Sequence, residues 1–100
     1  MHTVIRRYTG SSLREVVKQN EKSLREAMAA VPGLRGYYLM EGNGEIASVT
    51  VCDTREGTQE SNKRAAAWVK EHVPASANLS SPDVFEGETI LEVSTRHAMA

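Results

Sequence analysis

Glu45 to Val73 read EIASVTVCD, TREG and TQESNKRAAAWVKEHV. The first run is dense in β-branched residues and bounded by charged ones, the composition of a strand. Ala47, Val49 and Val51 point to one side of it and Ile46, Ser48, Thr50 and Cys52 to the other. The wholly apolar side is expected to meet helices, and the small mixed side to face away. TREG is a short polar turn. The third run is helical: Asn62, Ala65, Ala66, Val69 and Val73 form an inner stripe, with Ser61, Trp68 and His72 along its flank. This helix is expected to begin near Thr58, capped by the Thr58 hydroxyl with Ser61 three residues on, and to stop at Pro74.

Upstream, Thr3 to Thr9 (TVIRRYT) is a short β-rich run ended by Gly10-Ser11, and reads as the first strand. Ser12 and Glu15 have capping-box spacing, so a helix should follow, each side chain satisfying an unpaired backbone donor of the other residue. Its stripe is Leu13, Val16, Val17, Leu24, Ala27, Met28 and Val31, with Asn20 the one polar interruption. Pro32-Gly33 ends it. Leu34 to Glu41 (LRGYYLME) then runs into Gly42-Asn43-Gly44, residues that accept positive φ, so the second and third strands form a hairpin. Pro74 to Asp83 is a Ser, Ala and Pro-rich surface loop, Glu88 to Thr95 (ETILEVST) the expected fourth strand, and Arg96 to Ala100 a frayed tail.

The order is β-α-β twice over, which describes an α+β ferredoxin-like βαββαβ domain over residues 1–100: a four-stranded antiparallel sheet with helices on one face. The other face is expected to carry Val4, Arg6, Tyr8, Tyr38, Met40, Ile46, Thr50 and Ile90, too apolar a set to leave in water. A second copy, sheet against sheet, would cover it.

Composition narrows the function. With 40% hydrophobic and 25% charged residues the chain is globular, and twelve basic against thirteen acidic residues give a net charge of -1, no field for nucleic acid or anionic lipid. Cys52 is the single cysteine, which excludes an internal disulfide and a cysteine metal cage and suits a reducing cytoplasm. No signal-peptide run and no stretch of about eighteen apolar residues is present, so a cytoplasmic protein is expected. Gly42-Asn43-Gly44 joins two strands and opens no helix, so it cannot cradle a phosphate. No nucleophile triad or zinc motif occurs.

Three segments, VPGLRGYYLM, QESNKRAAAWVKEHV and SPDVFEGETILEV, together resemble the antibiotic-biosynthesis monooxygenase-like (ABM-like) family of dimeric α/β barrels, over nearly the whole chain. The resemblance implies a homodimer whose sheets close into a barrel, with a small-molecule cleft in each subunit between sheet and helices. The superfamily includes cofactor-independent oxygenases, haem-degrading enzymes, lactone isomerases and ligand sensors, so the fold does not choose a reaction.

Within that frame the candidate site lies on the second helix. Trp68 can stack on a flat substrate or simply fill the core. Asn62 can donate to a phenolate or peroxo oxygen, as an asparagine in this region does in oxygenase relatives, or bond to nearby backbone. His72, four residues past Trp68, can act as a base toward a phenol or complement the helix dipole. Tyr37 and Tyr38 alternate across the sheet, so one lines the cleft and the other enters the dimer interface. Arg6 or Arg7 can bind an anionic substrate, pair with Glu92 or sit solvated. Haem-degrading relatives carry an asparagine on the first strand where this chain has Arg6 and Arg7, so no haem or other cofactor is expected, nor a metal. The expected activity is a cofactor-independent monooxygenase acting on an aromatic or polyketide-like compound; the alternative is a non-catalytic ligand-binding or sensing module.

Overall fold

The structure, a computed structural model, describes residues 1–9, 13–74 and 81–95. In chain order these form β1 (His2–Thr9), α1 (Leu13–Gln19), α2 (Glu21–Ala29), β2 (Leu34–Gly42), β3 (Glu45–Cys52), α3 (Arg55–His72) and β4 (Asp83–Glu88). The strands make one antiparallel sheet in the order β2-β3-β1-β4, with the helices on one face, the ferredoxin-like α+β arrangement. The capping serine, Ser12, and the tail at 96–100 lie outside the described residues, as does most of the expected loop, 75–80.

The hairpin turn is a two-residue loop, Asn43 at φ 53° and Gly44 at φ 76°, whose positive φ values match the twist of the flanking strands. The single expected first helix is two. At Asn20 the side-chain Nδ2 donates to the Val16 carbonyl at 2.8 Å, competing with the helical ladder, and the backbone leaves helical geometry at φ -127° and ψ 30°. The second expected helix starts earlier than Thr58. Thr54 is its N-cap, accepting from the Gly57 amide at 3.4 Å, while the Thr58 and Ser61 hydroxyls donate to the Arg55 and Thr58 carbonyls within the helix. Its buried stripe is accordingly Gly57, Thr58, Ser61, Ala65 and Trp68, and Ala66 is exposed.

The parity of β1 and β3 is the reverse of the sequence expectation, while Tyr38 and Met40 of β2 lie on the open face as expected. Val4, Arg6, Tyr8, Ile46 and Thr50 are buried beneath the helices, together with Ser48 and Cys52. Closeness explains it: a Cβ added to Gly57 would lie 2.7 Å from the Pro32 carbonyl oxygen and 2.8 Å from the Cys52 Cβ. A helix held that near a strand needs a glycine at the point of contact and small side chains below it, and Ser48, Thr50 and Cys52 meet the second need. Met28, Val31, Leu13 and Leu24 close the core from α1, α2 and the residues after them. Each large apolar side chain so buried contributes roughly 1.5–3 kcal/mol.

Phe85, Ile5, Val49 and Tyr38 are thereby left side by side across all four strands on the open face, Phe85 75% and Tyr38 64% exposed, with Met40 nearby. The fourth strand also differs from expectation, ending where the sequence reading begins it. Glu88 is paired with His2, the first residue of β1, so no strand remains beside Thr89 and its successors. Residues past β4 are held by the Thr89 amide on the Met1 carbonyl at 2.9 Å and by Arg35 on Glu92 at 3.2 Å, leaving Ile90 94% exposed. No helix among the described residues is long and apolar enough to cross a membrane.

Candidate functional site

Alternation along β1 turns Arg6 and Tyr8 toward the helices, and alternation along β2 does the same for Tyr37 and Leu39. With Trp68 and Ala65 of α3 above them, and Leu13, Val17 and Leu24 closing one side, they enclose a cavity of about 20 Å³. That is room for one water molecule.

Arg6 dominates the cavity. It is 3% exposed, and its Nη1 donates to Oδ1 of the half-buried Asn62 on α3. Among the described residues its Nε and Nη2 have no hydrogen-bond partner, nor does the Ser48 hydroxyl, which β-pairing sets beside Arg6, nor that of Thr50. No ion pair among the described residues includes Arg6. Glu92, considered above as its partner, is on Arg35, and Arg7 on the opposite side of β1 pairs with Glu45 at 2.7 Å. A guanidinium removed from water without a counter-charge costs several kcal/mol, so two open donors here are a strong polar demand. Burial pushes the Tyr37 phenol above its ordinary range, with Arg6 pulling it back and Tyr8 adding to the rise. Tyr37 is therefore a neutral hydroxyl at physiological pH. No carboxylate and no histidine lines the cavity among the described residues.

Trp68 offers the cavity its ring and not its N–H. The indole Nε1 donates to the Ser23 hydroxyl of α2 at 3.2 Å, and His72 stacks on the indole with centroids 4.4 Å apart and planes 20° from parallel. His72 Nδ1 lies 2.9 Å from the Trp68 carbonyl, an acceptor, which assigns the proton to Nδ1 and leaves Nε2 to accept from Ser23 at 3.4 Å. The histidine is committed to holding Trp68 and stands apart from the cavity.

Of the residues read from the sequence, Arg6, Asn62, Tyr37 and Trp68 converge; His72 lies behind the indole, and Tyr38 is on the open face. Tyr8, Ser48 and Ser23 belong to the site or its support and were missed. Ser23 had a signal, since it falls three residues past Asn20 on the inner helical stripe. Tyr8 and Ser48 had none that did not depend on strand parity. Cys52 is fully buried, its thiol pushed up by burial and by Asp53, so it is no nucleophile. No group of three His, Cys, Asp or Glu among the described residues is placed to hold a metal ion.

No family model matches the sequence, and no curated protein is significantly similar to it. Solved structures do match. A protein of unknown function from Nitrosomonas europaea, NE2512, superimposes with a TM-score of 0.72 at 15% identity over 96% of this chain and 95% of its own. SnoaB, a cofactor-independent oxygenase from Streptomyces nogalater, gives 0.64 at 14% identity over 92% and 95%. MhuD, a haem-degrader from Mycobacterium tuberculosis with two haems bound in its active site, gives 0.66 at 21% identity over 94% and 100%. The fold is thus that of the ABM-like monooxygenases. The residues present here do not fit a haem: both ring nitrogens of His72, which an axial ligand would have to free, are engaged behind Trp68.

Proposed function

We propose that this chain is a small-molecule-binding protein that assembles as a homodimer through the open sheet face and acts as a cofactor-independent monooxygenase on an aromatic or polyketide-like compound. The observation that carries it is the buried Arg6 guanidinium, anchored by Asn62, with two nitrogens that have no partner among the described residues, in the wall of a cavity that Tyr37 and Trp68 also line. A fixed cation in a buried, largely apolar site lowers the pKa of a phenol or enol brought against it, so substrate can ionise there without a strong protein base. The electron-rich anion is the species that reacts directly with oxygen. Asn62 and Tyr37 hold its oxygens, and Trp68 stacks on its ring. The dimer would cover Phe85, Ile5, Val49 and Tyr38, too broad an apolar row for a lone subunit. A single buried thiol suits a cytoplasmic setting.

A non-catalytic ligand-binding module is the second reading, favoured by the lack of a carboxylate or histidine along the described cavity wall. Oxygen uptake with anthrone-like and quinol substrates separates the two. Uptake by the wild type that falls in Asn62→Ala and Trp68→Phe supports the enzyme; saturable quenching of Trp68 with no uptake by any substrate supports the module.

A further inference from the structure

We infer that the cavity recognises a carboxylate: its ligand is a planar apolar or aromatic molecule bearing one carboxylate group, seated on the Nε and Nη2 edge of Arg6. This rests on the reading of the cavity as the ligand site and adds the chemical class. The argument begins with which donors are open. Nη1 is on Asn62, and the two unpartnered nitrogens, Nε and Nη2, are those whose N–H bonds run parallel along one edge of the guanidinium. That edge is a fork for two oxygens on one carbon. Ser48, paired with Arg6 across β1 and β3, adds a third unpartnered donor from a hydroxyl that is 1% exposed.

Charge and shape exclude the alternatives. Arg6 is the one cationic side chain lining the cavity among the described residues, which balances a single negative charge and leaves a phosphate dianion uncompensated. A water molecule fits the space but not the charge. A phenolate engages one of the two parallel donors, and a carboxylate engages both. The remaining walls, Leu13, Val17, Leu24, Leu39 and Val69, are hydrocarbon and suit the rest of an apolar acid. A ring exceeds the space of about 20 Å³ and enters only as these walls move apart, two of them from α1 and one from α2.

Trp68 is the sole tryptophan and lines the cavity, so its fluorescence reports occupancy. Benzoate, the isosteric neutral benzamide and 1-naphthol are titrated into wild type, Arg6→Lys and Arg6→Met, with circular dichroism to establish that each variant is folded. Wild type is expected to bind benzoate at least about tenfold more tightly than benzamide. Arg6→Met should lose that preference while still taking 1-naphthol. Arg6→Lys should lose most of it, because an ammonium has charge but no planar fork. Equal affinity of wild type for benzoate and benzamide, or an unchanged preference in a folded Arg6→Met, overturns the carboxylate assignment. If 1-naphthol binds in that case, the pocket stands and only the ligand class falls. Failure of all three compounds to quench Trp68 removes the pocket reading and this inference with it.

Discussion

Arg6→Met is expected to make the protein more stable while removing ligand recognition. The arginine is 3% exposed and two of its three nitrogens lack partners, so its charge is held in the core at a cost that only a ligand offsets. Exchanging a buried ionic group for a well-packed apolar one of similar length gains about 1–4 kcal/mol in measured cases. Against this, Asn62 loses the donor to its Oδ1, which costs about 1 kcal/mol, less where water can reach the amide. The net is roughly 0–3 kcal/mol on the side of stabilisation, or up to about 15 °C in Tm for a chain of this size. Thermal and urea unfolding at matched protein concentration measure it, since self-association would contribute to both proteins. A loss of more than about 2 kcal/mol would show that Arg6 holds the fold together and that its open edge is not kept for a ligand.

Other consequences of the geometry can be checked separately. Gly57→Ala should destabilise by about 1–3 kcal/mol despite alanine's better helix propensity, because the new Cβ meets the Pro32 carbonyl and the Cys52 Cβ; Gly42→Ala, with open space around it, is the control in the same urea titration. Val49→Lys places a charge in the middle of the Phe85, Ile5, Val49 and Tyr38 row, so sedimentation is expected to find dimer for the wild type and monomer for the variant; a dimeric variant would move the proposed interface elsewhere, and a monomeric wild type would remove it. Because burial raises the Tyr37 phenol, the native state keeps its proton after the unfolded chain has lost it. That contribution to stability is complete below the unfolded value of about 10 and disappears as pH rises through the folded one. Tyr37→Phe should flatten this alkaline decline in unfolding curves, and an equal slope in both proteins would place the phenol in solvent.

Much of this protein is legible in one dimension. The alternation of strands and helical segments and the reversals at Pro32-Gly33 and Asn43-Gly44 follow from local rules of period, capping and positive φ. Those rules act over a few residues and are complete within the segment that obeys them. What escaped them depended on a partner distant in the chain. Strand alternation yields two faces but does not say which lies under the helices; in the structure the face bearing Ser48, Thr50 and Arg6 is covered, with Gly57 against Pro32 and Cys52. Whether ETILEVST pairs was decided by β1 beginning at His2, and whether His72 reaches the cavity by Ser23 on another helix. Arg6 reads equally as a surface charge or a buried one until the sheet has a roof. Its lack of a counter-ion is a property of everything packed around it, and no stretch of sequence contains that.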